Sequence, residues 1–166
     1  MTGVQTCALP IFGIVNAKIV SSQIDNIAYA IPSNVARLVA ENVIYHANES
    51  GVDHVKKASL GVTLSDDTNS HTVYDTETGK VHIIEEVVVV DIAKNSLAEG
   101  KIEIGDIITS IKIASEETKS VTRNFHVVER MLTARVGDTV VVEVLRDGEA
   151  ITLTFVITKD SLKDIT

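Results

Sequence analysis

"SLAEGKIEIGDIITSI", residues 96–111, is the stretch from which the fold is read. Ser96 stands where a helix N-cap would, and Gly100 offers the left-handed stop, so residues 96–100 predict a single helical turn. Gly105-Asp106 then breaks the chain, and residues 106–113 read as a strand. Downstream, residues 124–134 predict a helix. Residues 139–145 and 149–157 alternate apolar and polar around Arg146-Asp147-Gly148, and Asp-Gly between two alternating runs is the strongest short hairpin signal. Upstream, residues 60–64 form a short strand and residues 65–79 a polar, Thr-rich excursion. Residues 81–92 are strongly β-prone, and their Val87-Val88-Val89-Val90 run suggests a strand covered on both faces. Five or six strands with two helices in ~100 residues predict a small, partly open barrel capped by helices. The chain is expected to be mainly β with two to three helices, an α+β class, and it has no internal repeat.

Further toward the N-terminus, residues 14–20 and 27–31 read as strands joined by a loop at residues 21–26. A helix follows, capped by Ser33 or Asn34, with Val35, Leu38, Val39 and Val43 on one apolar face and an expected stop near His46. Residues 47–58 are polar, contain Gly51 and read as a linker.

With 166 residues the chain has room for one ordinary domain plus a fragment, since domains cluster at about 100–150 residues. Its 45% hydrophobic and 23% charged residues form a core-building composition. A formal charge of -8 argues against nucleic acid, whose binders concentrate Lys and Arg. No apolar run approaches the ~20 residues of a membrane-spanning helix. Cys7 is the only cysteine, so no internal disulfide forms.

"MTGVQTCALPIF", residues 1–12, lacks a charged n-region and is interrupted by Pro10, so it is not a signal peptide. It resembles translated sequencing-adapter read-through and is set aside as non-native. The alternative is an ordinary N-terminal strand with Cys7 as a small core residue. In neither version is Cys7 a nucleophile, because no activating motif surrounds it.

Candidates for catalysis and metal binding are few. His46, His54, His71, His82 and His126 are scattered, with no His-Glu-x-x-His spacing, so no metal site and no cofactor are expected. Glu85-Glu86 and Glu116-Glu117 are neighbours whose side chains face opposite ways on a strand, so neither pair shares one site. A Ser-His-Asp triad needs a serine on a sharp turn beside backbone oxyanion donors. The chain contains no Gly-x-Ser-Gly-Gly.

Several motifs in order carry a family resemblance. "SLAEGKIEIGDIITSI" is similar to the PDZ signature of a small-residue turn, Gly-Asp and an apolar strand. "SLGV", residues 59–62, resembles the carboxylate-binding loop of PDZ domains, placed ahead of it as in the permuted bacterial arrangement. "VGDTVVVEVLRDGE", residues 136–149, matches the closing hairpin. Upstream, "GIVNAKI" (13–19) followed by "NIAYAIPSNVARLV" (26–39) resembles the end of the protease domain in trypsin-like HtrA/DegP serine proteases. The resemblance implies a remnant of a trypsin-like second β-barrel at residues 13–46, the linker 47–58, a PDZ domain at 59–158 and a tail at 159–166. The family's nucleophile motif would fall just upstream of Gly13, and its His and Asp further still. This chain is therefore expected to bind and not to cut. The resemblance also implies a parent that is extracytoplasmic or membrane-anchored and homo-oligomeric, as a trimer. The competing reading is a non-enzymatic PDZ adaptor with residues 13–45 as a private extension. Finding a Gly-x-Ser-Gly-Gly just before Gly13 in a gene sequence extended upstream would exclude it.

The expected partners are peptides or unfolded-protein segments. Val62, Thr63 and Leu64 are read as an edge strand that accepts a peptide as an added strand. Ser59, Leu60 and Gly61 present backbone N–H groups to a terminal carboxylate, with Lys56 and Lys57 nearby. At ~100° per residue the helix at 124–134 has an apolar arc wider than the ~100° stripe that covers a core. The excess is assigned to the groove: Phe125, Val128 and Leu132 toward the ligand, Val127 and Met131 toward the core. A helix that is simply more widely buried is the competing reading. Ser59 departs from the bulky residue usual in the family at that position. Asn16, Ala17 and Lys18 stand where the proteases pair with substrate backbone, and in this chain they are expected to be barrel strand only.

Overall fold

A computed structural model describes residues 13–21, 24–50, 55–65 and 71–164 of the chain. Residues 1–12 with Cys7, and Gly51 and His54 of the expected linker, lie outside them. Two compact units divide between Glu41 and Asn42, inside a helix.

In the first unit β1 (Gly13–Ser21) and β2 (Ile24–Pro32) form an antiparallel hairpin. The register slips between Val15 and Ala17, which leaves Asn16 at a bulge. Helix α1 (Ser33–Ser50) follows Pro32 directly, with Arg37 and Glu41 paired one turn apart at 3.0 Å. It runs past the expected stop at His46. His46 is buried, and no glycine or proline interrupts the chain before Gly51.

The second unit holds the remaining elements. They are β3 (Lys56–Ala58), β4 (Val62–Leu64), β5 (His71–Asp75), β6 (Lys80–Ile84), β7 (Val89–Ile92), β8 (Ile107–Ile113) and β9 (Lys119–Ser120), then α2 (Asn124–Met131), β10 (Thr139–Arg146), β11 (Glu149–Val156), a 3-10 turn (Lys159–Ser161) and β12 (Leu162–Asp164). A four-stranded antiparallel sheet in the order β11-β10-β8-β9 forms the body, and β12-β3, β4-β7 and β5-β6 are two-stranded. Among the described residues the sheets stay open and do not close into a barrel, and the elements are mainly β with two α-helices.

Alternation builds the core. Val140, Val142 and Val144 of β10 are fully buried on one face. On β8, Ile108 and Ile111 are both buried although their odd spacing would send them to opposite faces. The pairing register shifts at this point, from Ser110 opposite Glu143 to Ile108 opposite Val144, leaving Thr109 bulged out. The Thr109 hydroxyl donates to the Glu143 carbonyl at 3.1 Å and fixes the bulge. Phe155 and Ile157 complete the same core.

Four expectations change. Residues 65–79 are not a plain excursion, because β5 turns into β6 through Asp75, whose Oδ1 accepts the N–H groups of Glu77 (2.9 Å) and Thr78 (3.2 Å). The run at 81–92 is not one strand. Glu85 leaves β6 to donate its N–H to the Thr122 carbonyl, and the valines alternate, with Val87 and Val89 fully buried while Val90 is 45% exposed. Residues 96–100 form turns without a helix, and the Ser96 hydroxyl caps nothing. Finally, residues read as linker and tail pair with each other, Ala58 opposite Leu162 and Lys56 opposite Asp164. Strands of three residues are too short to show alternation in sequence.

Candidate functional site

The groove is built from a loop, a strand edge and a helix. The loop, residues 59–61, is anchored through its backbone. Ser59 donates its N–H to the Ser161 carbonyl (3.0 Å), the Leu60 carbonyl accepts from Ala98 (3.0 Å), and the Gly61 carbonyl accepts from Ala93 (2.8 Å). The Leu60 side chain is sunk in the core. Gly61 has φ of +81°, and a methyl group there would stand 2.2 Å from Ser96 Cβ, so only glycine fits. The turns at 94–100 thus form the backing against which the loop is pressed.

Beyond the loop, β4 pairs with β7 alone, Thr63 opposite Asp91. The bond from Ala93 to Gly61 fixes the phase of this ladder. Thr63 turns its backbone groups toward β7, and Val62 turns its N–H and C=O toward the open edge. That edge faces α2. Between them lies a cavity of about 170 Å³ at the loop end, walled by Leu60, Gly61, Val62, Val127, Val128 and Met131, with Lys57, Ala58, Ser59 and Leu64 at its margin. A wider recess of about 380 Å³ continues along Thr63 and Leu64 to Asn124, Phe125 and Val128.

Helix α2 forms the wall opposite β4. Phe125 (44% exposed) and Val128 (49% exposed) stand open beside β4. Val127 and Met131 are buried in the core and at the same time wall the loop end. Leu132 was expected beside Phe125 and Val128 but is buried and does not line the groove. Leu132 still donates its N–H to the Val128 carbonyl (3.2 Å) with helical φ and ψ, so its direction follows the helix; what the spacing does not show is that this end of the helix is covered. Asn124, Val127 and Met131 of the helix line the groove although the sequence did not assign them to it, and their signal was the 124, 127, 131 spacing of one helix face.

Polar supports hold the frame. Asp106 of the Gly-Asp pair is buried, and Arg146 grips both its oxygens, Nε to Oδ1 at 2.7 Å and Nη2 to Oδ2 at 2.8 Å. The Glu103 N–H donates to Oδ2 at 2.9 Å. The Arg146 bond lowers the Asp106 pKa against the opposing effect of burial, and Asp106 in turn raises that of Arg146. Behind β3, buried Asn42 donates from Nδ2 to the Lys56 carbonyl (2.8 Å) and accepts from Arg135 Nη1 (3.1 Å), while the Arg135 guanidinium lies 4.4 Å over the Tyr45 ring. Arg130 pairs with Glu116, and Arg123 with Glu85.

Asn16, Ala17 and Lys18 belong to β1 of the first unit. Among the described residues no group of three or more His, Cys, Asp or Glu could hold a metal ion. No helix among them is long and apolar enough to cross a membrane.

Comparison with known proteins fits this construction. The family model for the PDZ domain matches residues 58–157. No curated protein matches the chain. Among solved structures, the HtrA-type protease AlgW with a decapeptide is similar at a TM-score of 0.55 and 23% identity, over 94% of this chain and 43% of that one. AlgW with a tripeptide is similar at a TM-score of 0.58 and 20% identity, over 94% and 46%. The chain thus spans less than half the length of the proteases whose fold it shares. A family match over most of its length, around a groove formed by a glycine loop, an open strand edge and an apolar helix face, makes the chain a member of the PDZ domain family.

Proposed function

We infer that this chain is the peptide-binding part of an HtrA-type serine endopeptidase, and that an extended peptide adds to the open edge of β4 with its last apolar side chain in the cavity between Gly61 and Met131. The observation that carries this is the outward-facing backbone of Val62, set beside an apolar recess and closed by the loop at residues 59–61. Ser59 to Leu64, Phe125 and Val128 are the contact residues, and an apolar end fits because Val127, Val128 and Met131 offer no charge. Peptide complexes of AlgW, and the likeness of residues 13–45 to the end of a trypsin-like domain, support the endopeptidase parent. In that parent proteolysis resides upstream of Gly13, the assembly is a trimer, and the location is extracytoplasmic or membrane-anchored.

The test is calorimetric titration with peptides ending in Val, Leu or Ile. A Kd near micromolar, about 8 kcal/mol, is expected, because an extended peptide loses conformational freedom as it is ordered. N-methylation of the peptide nitrogen that faces the Val62 carbonyl should abolish binding. Binding indifferent to N-methylation at every position would reject strand addition. Fluorophosphonate should label no serine of this chain, and stoichiometric labelling would reject the assignment of cleavage to the upstream part.

A further inference from the structure

One of the loop donors expected to serve a carboxylate, the Gly61 N–H, is already engaged by the chain itself. The Gly61 N–H, on the residue whose φ only glycine adopts, donates to Ser59 Oγ at 3.1 Å. Ser59 is half-buried and is one of the residues that line the loop end of the cavity. An N–H carries one hydrogen, and a ligand oxygen accepts it only after the serine oxygen leaves.

We propose that Ser59 is a built-in competitor for the ligand's terminal carboxylate, a specificity residue that lowers the preference for chain ends and so admits internal peptide segments. This rests on the peptide-binding reading above and assigns it a ligand class. A carboxylate gains a charge-assisted bond from Gly61 but first breaks a neutral one, whereas an amide-ended or internal peptide that leaves Gly61 alone breaks nothing. The backbone anchors of the loop, at Ser59 N–H and at the Leu60 and Gly61 carbonyls, do not depend on the hydroxyl. Ser59→Ala therefore leaves the fold in place and frees the donor.

The experiment takes the tightest-binding peptide of the Val, Leu and Ile set as free acid and as C-terminal amide, and titrates both into the natural chain, Ser59→Ala and Ser59→Thr. Ser59→Ala should raise the acid-over-amide ratio about five- to tenfold, the worth of one neutral hydrogen bond, almost wholly through the acid. Ser59→Thr, which keeps a hydroxyl, should hold the natural ratio. In the free protein the Gly61 amide should exchange with solvent faster in Ser59→Ala. A ratio that stays constant, or falls because the hydroxyl donates to the carboxylate, overturns the proposal while leaving peptide binding intact. No binding by acid or amide to the natural chain removes the peptide-binding reading and this proposal with it.

Discussion

The loop at residues 59–61 and helix α2 face each other across the groove but are held by different forces. The loop is fixed by three backbone hydrogen bonds to Ser161, Ala98 and Ala93, and by a glycine pressed on Ser96. The helix spans eight residues, Arg123 gives it no side-chain N-cap bond, and only Val127 and Met131 within it are buried. One wall is positioned by directional bonds that tolerate little displacement. The other is seated by the apolar contact of Val127 and Met131, which is non-directional, with the Arg130–Glu116 ion pair and the Thr122 N–H to His126 Nδ1 bond at its rim. Donor geometry should therefore be constant from ligand to ligand while pocket width adapts.

The sharpest way to break that comparison is at Gly61. Gly61→Ala combines a left-handed φ with a 2.2 Å clash and should lower stability by about 2–5 kcal/mol and abolish peptide binding. Chemical denaturation and titration measure the two, and retained binding would show that the loop is as adjustable as the helix. Next comes Asp106→Asn, which removes a buried carboxylate from Arg146 and is expected to cost about 2–3 kcal/mol, discounted because Arg146 is partly exposed. Because the folded pKa of Asp106 is lowered, its contribution is complete above the ordinary aspartate pKa of about 3.9 and is lost as pH falls below that through the folded value. The variant should lack this acid limb in a plot of stability against pH.

Two helix substitutions should separate packing from binding. Leu132→Ala is expected to cost about 2 kcal/mol of stability and less than threefold in affinity, since Leu132 is buried off the groove. Val128→Ala should cost under 1 kcal/mol of stability and about three- to tenfold in affinity, since Val128 lines both parts of the groove. Loss of affinity at Leu132 as large as at Val128 would return Leu132 to the groove, as first expected from the sequence. The smallest effect belongs to Glu129→Ala, within about 0.5 kcal/mol in both measurements.

What was legible in the sequence follows the same division. The β10–β11 hairpin could be read because Asp147 and Gly148 both take positive φ, the turn that Asp-Gly specifies. Gly61 and its neighbours could be read because a backbone that only glycine adopts leaves a mark in composition. Leu132 could not be placed, since helical spacing gives the direction of a side chain but not which end of the helix the rest of the chain covers. The β5–β6 ribbon was hidden for another reason: Tyr74, Val81 and Ile83 are all exposed, so no inside and outside exist to impose alternation. The Asp106–Arg146 clamp joins positions far apart in sequence, and neither residue type announces its partner.

The pairing of β3 with β12 has a consequence for the order in which the molecule is made. Ala58 meets Leu162, and Ser59 is anchored by Ser161, so the strand that leads into the glycine loop waits for almost the last residues of the unit to leave the ribosome. Until then the nascent chain carries the sheet-forming valines of β10 and an open β4 edge without the closing strand, a topology of high contact order that folds slowly and invites association. The recognition loop is thus completed last, and a chain arrested before Leu162 should hold much of its core and no finished groove.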